Sequence, residues 1–316
     1  MTLLFSLRPF ILQDFSPFVN FSLQFSGGRA IMGINFWKAG IVMKKAAFIG
    51  VGNMGGALAR AACRAVGADQ VVLFNRTPCK ANALAAELGC TAAGSLSDAL
   101  REAEYVFLGV KPQGMRQLLG LIGRQLYELH RTGADRVLVS MAAGVELETM
   151  REYLGEAGYS VPLLRIMPNT CAAIGRGMTA LCARAEVDET RVQDVMEILS
   201  ATGRVEQIPE SLMDQFSALA GCGPAFVYPY IEALADGGVA VGLPRAQALE
   251  YAARTVLGAA AMVLESGKHP GQLKDEVCSP GGSTIAGVAE LERGGLRAAA
   301  INAVQAAYGR NTQLGK

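Results

Sequence analysis

Short apolar runs alternate with helical patterns over the first two thirds of the sequence, which predicts a mostly parallel sheet covered by helices. The apolar runs predict strands at 46–49, 71–75, 105–110, 137–140, 163–167, 178–182 and 204–207. The helical patterns predict helices at 55–66, 79–88, 113–127, 147–154 and 188–201. The fold class is therefore α/β, with a nucleotide-binding (Rossmann-type) domain expected over residues 43–209.

The pattern changes after Pro209, where Ala-rich helical stretches with Gly and Pro at their ends replace the β-rich runs. Helices are predicted at 211–219, 224–241, 244–266 and 294–310. The middle two are apolar on more than one face and have to be buried. We expect an all-helical domain over 210–316 that packs against a second copy of the chain. A self-contained helical bundle is the alternative.

The first 42 residues differ from the rest, because they hold most of the phenylalanines and the only tryptophan without a helical or strand period. Pro9, Asp14 and Pro17 interrupt any apolar core of a signal peptide. Residues 43–45, Met-Lys-Lys, directly precede the first predicted strand. We expect residues 1–42 to be a disordered extension or the product of a misassigned start site, with a targeting segment as the alternative.

Composition limits the function classes. The net charge of the 316 residues is +1 and no dense Lys/Arg block occurs, which disfavours nucleic acid and an anionic membrane surface as partners. The uncharged stretch at 215–231 contains Gly and Pro and is too short to span a bilayer. The seven cysteines are scattered without a C-x-x-C pair, which indicates reduced thiols in a cytoplasm. A small molecule is the expected partner, and we assign no metal ligands.

Residues 50–55, Gly-Val-Gly-Asn-Met-Gly, form a G-x-G-x-x-G motif between a predicted strand and a predicted helix. In that context the motif is typical of dinucleotide binding. Gly50 would make the tight turn, Gly52 would let a pyrophosphate approach the backbone, and Gly55 would bring helix and strand together. The N–H groups that begin the helix would then bind the phosphates.

Residues 75–77, Asn-Arg-Thr, end the second predicted strand, where NAD enzymes carry an acidic residue. Arg76 and Thr77 offer a cation and a hydroxyl to a 2′-phosphate, so NADPH is expected to bind more tightly than NADH. A solvated surface arginine is the alternative for Arg76. Lys111 and Pro112 follow the third strand and Ala143 follows the fourth, at the edge where such sheets bind ligands.

Residues 279–284, Ser-Pro-Gly-Gly-Ser-Thr, precede a helical run over 285–292. Glycines and hydroxyl residues at the start of a helix expose several N–H donors, which favours a carboxylate ligand. An ordinary helix N-cap is the alternative.

From Met43 to about Arg310 the chain resembles pyrroline-5-carboxylate reductase. The resemblance rests on residues 50–56, 110–112, 142–144, 167–170, 221–226, 269–273 and 279–284. It implies a Rossmann domain, a helical dimerisation domain that interlocks with a partner's, and in some members a ring of dimers. The activity it implies is NADPH-dependent reduction of 1-pyrroline-5-carboxylate to L-proline, the final step of proline biosynthesis.

The resemblance also implies which residues bind the two molecules. Glu210 matches an acidic residue near the substrate amine. The implied dinucleotide contacts are Gly50, Gly52, Asn53, Met54, Asn75, Arg76, Lys111 and Ala143, to which we add Val51, Thr77 and Pro112 as neighbours in the same loops. The implied substrate-carboxylate contacts are Ser279, Gly282, Ser283 and Thr284. Three positions depart from the family pattern. Cys222 stands where many members have serine, and Phe226 stands where they have tyrosine. Gly267 stands where some members have an acidic residue.

The two histidines, His130 and His269, stand in positions that favour structural roles, so no strong proton relay is apparent. An imine that binds already protonated needs no strong acid, and the Thr284 hydroxyl is the candidate catalytic proton donor. Two alternatives remain. A β-hydroxyacid dehydrogenase would carry a catalytic lysine in the glycine-rich stretch at 221–226, which has none. A non-catalytic NADPH-binding regulator would need no substrate loop.

Overall fold

The computed structural model of the protein describes residues 19–26, 29–36, 46–155 and 161–314. The chain divides into two compact units, Met1–Met43 and Lys44–Lys316.

The first unit contains two strands, β1 (Val19–Ser26) and β2 (Arg29–Phe36). They pair antiparallel, from Val19 opposite Phe36 to Ser26 opposite Arg29. The prediction of no regular structure is wrong for these two segments. Residues 19–26 alternate apolar and polar positions, which is the two-residue period of a strand, but the surrounding phenylalanines obscure it. The rest of 1–42 lies outside the described residues, and its dispensability stays a prediction.

The second unit is built on an eight-stranded sheet with the order β10-β9-β8-β7-β6-β3-β4-β5. All neighbouring pairs are parallel except β8 and β9. From β5 to β8 this is the doubly wound dinucleotide-binding order, in which the order of the parallel strands across the sheet reverses between β3 and β6. The strands are β3 (Ala46–Ile49), β4 (Val71–Phe74), β5 (Thr91–Ala92), β6 (Tyr105–Leu108), β7 (Val137–Ser140), β8 (Leu163–Met167), β9 (Gly177–Ala183) and β10 (Gly203–Gln207).

Helices cover both faces of this sheet, and each face has its own hydrophobic core. The rings of Phe48 and Phe107 stack across the central strands with centroids 4.6 Å apart. Because both faces are covered, the central strands β3, β4, β6 and β7 are almost wholly apolar, which is why the sequence shows them as continuous runs. The helices are α1 (Asn53–Val66), α2 (Pro78–Leu88), α3 (Leu96–Glu102), α4 (Pro112–Arg131), α5 (Leu147–Leu154) and α6 (Glu189–Ile198).

The sequence predicts all the long elements of this domain to within a few residues but misses β5 and α3. β5 has only two residues. α3 has seven, too few to show a helical period, and its start is marked by the Ser95 side chain accepting from the Asp98 N–H at 3.1 Å.

After β10 the chain is helical to the end of the described residues. These helices are α7 (Met213–Phe216), α8 (Gly223–Ala240), α9 (Arg245–Ser266), α10 (Pro270–Val277), α11 (Ser283–Arg293) and α12 (Leu296–Leu314), with a π-helical turn at Ser217–Gly221 between α7 and α8. α10 is not predicted from the sequence. It begins where the His269 side chain accepts from the Gly271 N–H at 3.1 Å, which is a structural role for that histidine.

A single chain buries little of α8 and α9. Three buried alanines form a small core between them, and Ile231, Leu234 and Val239 pack against it while only partly buried. Large apolar side chains stay exposed, among them Tyr228 at 58%, Leu257 at 65% and Leu264 at 84%. In one chain these helices therefore do not make a self-contained bundle. Among the described helices, none is both long and apolar enough to cross a membrane.

Candidate active site

A cleft of about 820 Å3 opens at the carboxyl edge of β3, β4 and β6. This is the place where the strand order reverses and where sheets of this class bind ligands. Six residues predicted to bind the cofactor line it: Gly50, Gly52, Asn75, Arg76, Thr77 and Lys111.

The glycines of residues 50–55 have separate roles. Gly50 has a φ of +96°, and a Cβ on Gly55 would lie 2.0 Å from the Gly50 carbonyl oxygen. These two positions need glycine to build the turn itself. A Cβ on Gly52, in contrast, would meet no atom within 4 Å and would project into open space beside the cleft. That space fits a pyrophosphate against the backbone.

The start of α1 supplies donors to the same space. The Gly56 N–H donates to the Gly52 carbonyl at 2.7 Å, and this is the first hydrogen bond of the helix. The N–H groups of Asn53, Met54 and Gly55 precede it, and no side chain caps the helix. The first turn of α1 therefore presents backbone donors and the positive end of the helix dipole to an anion.

Asn75 connects this turn to the end of β4. Its Oδ1 accepts from the Val51 N–H at 3.2 Å, and its Nδ2 donates to the Thr77 carbonyl at 3.1 Å. The predicted cofactor contacts Val51 and Asn75 thus bind each other, and direct contact with a cofactor stays a prediction for both.

The mouth of the cleft is positively charged. Arg76, Thr77 and Lys80 are all exposed and line it together. Thr77 is the N-cap of α2, but its side chain makes no capping bond and remains free for a ligand. The sequence prediction missed Lys80, although its place in the first turn of α2 puts it beside Arg76 and Thr77.

Part of the cleft wall is apolar and comes from α3 and α4. Leu96, Leu118 and Leu121 line it, and Leu121 is 66% exposed in the single chain. The sequence prediction missed all three leucines. For Leu121 a signal was available, because Gln113, Gln117 and Leu121 recur every four residues and so share one face of α4.

The predicted cofactor contacts that follow β6 and β7 lie at a helix start and in a loop. Lys111 is the N-cap of α4 and Pro112 is the first residue of that helix. Ala143, in the loop after β7, packs against the core on one face of the sheet.

The loop at 279–284 is exposed at the start of α11. Gly281 has a φ of +69°, and the Gly282 N–H donates to the Ser279 carbonyl at 3.1 Å. Gly282 is the N-cap of α11, with no side-chain capping bond. The capping alternative for Thr284 is therefore wrong, because Thr284 lies in the first turn. The N–H groups of Ser283 and Thr284 and the hydroxyls of both residues are free donors in this loop.

Within one chain the structure does not join the two loops. The described residues that line the cleft all lie between Ile49 and Leu121. The 279–284 loop contributes none of them.

Glu210 lies at the junction of the sheet domain and the helices. Its Oε1 accepts from the Leu147 N–H at 2.8 Å and lies 3.3 Å from Nη1 of Arg165. Arg165 is 1% exposed, and its Nη2 is 3.9 Å from Asp214. Burial and then Glu210 raise the pKa of the neighbouring Cys182 to about 12. Glu210 therefore already has partners within the protein, and its contact with a substrate amine stays a prediction.

Two family models match the chain. One is described as "Pyrroline-5-carboxylate reductase dimerisation" and matches residues 210–314. The other is described as "NADP oxidoreductase coenzyme F420-dependent" and matches residues 45–144. A pyrroline-5-carboxylate reductase of Pisum sativum is 39% identical over 269 residues, which covers 84% of this chain and 94% of that protein.

The chain belongs to the pyrroline-5-carboxylate reductase family. The enzyme of that name from Escherichia coli K12 is 40% identical, with 86% of this chain and 99% of that protein covered. A crystal structure of the Plasmodium falciparum pyrroline carboxylate reductase with NADP bound superposes with a TM-score of 0.77 at 29% identity. The superposition covers 88% of this chain and all of that one. These similarities confirm the resemblance and the fold class predicted from the sequence.

Proposed function

We propose that the protein reduces 1-pyrroline-5-carboxylate to L-proline with NADPH, the last step of proline biosynthesis. The observation that supports this most is the presence of two separate helix starts without a capping side chain, one at α1 and one at α11, in a chain of this family. The first fits a pyrophosphate and the second fits a carboxylate.

The cofactor preference follows from the mouth of the cleft. Arg76 and Lys80 are two exposed cations beside the free Thr77 hydroxyl, and none of the three would repel a 2′-phosphate. NADPH therefore binds more tightly than NADH, which remains a weaker alternative. When it is bound, NADPH supplies the hydride that the imine carbon accepts.

The substrate is held by its carboxylate. The Ser283 and Thr284 N–H groups and hydroxyls bind the carboxylate oxygens at the positive end of α11. A protonated imine needs no further acid before it accepts a hydride. Where a proton has to be supplied, the Thr284 hydroxyl is the donor, since it is not engaged in capping.

The working form is a homodimer with interlocked α8 and α9 helices. Burial of the exposed apolar side chains of these helices against a second copy favours this assembly. The dimer also brings the 279–284 loop of one chain to the cleft of the other. Assembly of dimers into a ring is a further prediction. The cysteines are all free, which supports a cytoplasmic location.

A direct assay tests the proposal. Purified protein is mixed with pyrroline-5-carboxylate and NADPH, and the oxidation of NADPH is followed by its absorbance. A second sample contains a β-hydroxyacid and NADP, and there the reduction of NADP is followed in the same way. We expect turnover with the imine and none with the hydroxyacid. Turnover of the hydroxyacid alone would support a β-hydroxyacid dehydrogenase. Tight NADPH binding without turnover of either would support a binding protein.

A further inference from the structure

Asn75 extends the pairing of β3 and β4 beyond the strands. The ladder ends with Ile49 opposite Phe74, and the Gly50 N–H continues it by donating to the Phe74 carbonyl at 2.8 Å. One residue further on, the Val51 N–H donates not to backbone but to Oδ1 of Asn75. The Asn75 side chain thus supplies the acceptor for the first N–H after the tight turn at Gly50, whose φ is +96°.

The other half of the same amide holds the following loop. Nδ2 of Asn75 donates to the Thr77 carbonyl two residues later. An amide is the side chain of this size that accepts with one atom and donates with the other. The loop that begins α1 and the loop that begins α2 are therefore tied to one planar group.

We propose that Asn75 is a positioning residue. It holds the pyrophosphate loop at Gly50–Gly55 and the 2′-phosphate loop at Arg76–Thr77 in a fixed position relative to each other. This proposal rests on the proposed function, since it concerns the binding of NADPH. It assigns Asn75 no contact with the nucleotide and removes Val51 from the donors offered to the phosphates.

Contact with the 2′-phosphate and positioning of the loops predict different binding patterns. A residue that touches only the 2′-phosphate matters for NADPH and not for NADH. A residue that holds the turn beneath the pyrophosphate matters for both, because both nucleotides carry that group.

Two measurements on the full chain test the proposal. The first is amide exchange at Val51 without nucleotide, read by mass spectrometry or NMR. We expect slow exchange in the wild-type chain and at least tenfold faster exchange in Asn75→Ala. Asn75→Asp keeps the acceptor oxygen and should keep exchange slow. Fast exchange in the wild-type chain, or no change in Asn75→Ala, would overturn the proposal.

The second measurement is titration of NADPH and NADH by fluorescence. Asn75→Ala should weaken both by the same factor, about fivefold to tenfold, as expected for the loss of one or two ordinary hydrogen bonds. Asn82→Ala, at an exposed position on α2, is the matched control and should change neither. Loss of NADPH affinity alone would assign Asn75 a direct contact and overturn positioning. Failure of the wild-type chain to bind NADPH would overturn the proposed function as well, so the two failures are distinguishable.

Discussion

Nη1 of the buried Arg165 lies 3.3 Å from Oε1 of Glu210, and the same oxygen accepts from the Leu147 N–H. Arg165 belongs to β8, whereas Glu210 stands where the helical part of the chain begins. This contact therefore connects the sheet to the helices that follow it. A buried guanidinium that loses Glu210 keeps only the more distant Asp214, 3.9 Å from Nη2, to balance its charge, which is costly.

We expect Glu210→Ala to destabilise the protein by about 2 kcal/mol, less than for a fully buried pair because the Glu210 side chain is 31% exposed. Urea unfolding at one fixed chain concentration measures this change. Glu206→Ala, which breaks the exposed pair with Arg204, is the control and should cost about 0–1 kcal/mol. Unchanged stability together with a raised KM for the imine would contradict this structural role and would support contact between Glu210 and the substrate amine.

Thr284→Ala tests the loop at the start of α11. We expect the rate of imine reduction to fall about a hundredfold, as for loss of a positioned proton donor, with NADPH affinity unchanged. Thr284→Ser keeps the hydroxyl and should recover most of the rate. If NADPH affinity falls as much as the rate, the loop belongs to the cofactor instead.

Arg76→Glu tests cofactor selection. A carboxylate in place of the guanidinium repels a 2′-phosphate, so the preference for NADPH over NADH should fall about tenfold to a hundredfold. Lys80→Ala should produce a smaller loss in the same direction. Arg204→Glu, an exposed arginine on β10, is the charge-matched control. An unchanged preference in Arg76→Glu would mean that Arg76 is an ordinary surface residue.

The cysteines should differ in reactivity with pH. Burial and the neighbouring Cys90 raise the pKa of Cys63 to about 12, and burial raises that of Cys182 to the same value. A thiolate forms only as the pH approaches the pKa, so both remain unreactive thiols from neutral pH to about pH 10. Iodoacetamide at pH 8 should therefore modify the exposed Cys79 before either of them, as read by peptide mass. Rapid modification of Cys182 in the folded protein would contradict its burial.

The cofactor loop was predictable from sequence because the motif is local: six consecutive residues set the turn, the close approach and the helix start. The roles of Asn75 and Glu210 were not. Asn75 contacts Val51, 24 positions earlier, and Glu210 contacts Arg165, 45 positions earlier. Such contacts depend on strand order and register, which periodicity does not supply. The sequence places Thr284 at the start of a helix, but only the backbone shows that Gly282 is the cap.

We expect the cofactor loop of one chain and the substrate loop of another to act on the same bound pair of molecules. A dimer with Gly52→Val in one chain and Thr284→Ala in the other tests it. Gly52→Val should fold, because a Cβ there meets nothing within 4 Å, and should block the pyrophosphate.

The two variants carry different tags, are produced together, and are purified through both tags so that only mixed dimers remain. If each site forms between two chains, one of the two sites in a mixed dimer has both loops intact. We predict about half of the wild-type rate of pyrroline-5-carboxylate reduction, with each parent variant nearly inactive. A mixed dimer as inactive as its parents would contradict the account, because each site would then be built within a single chain.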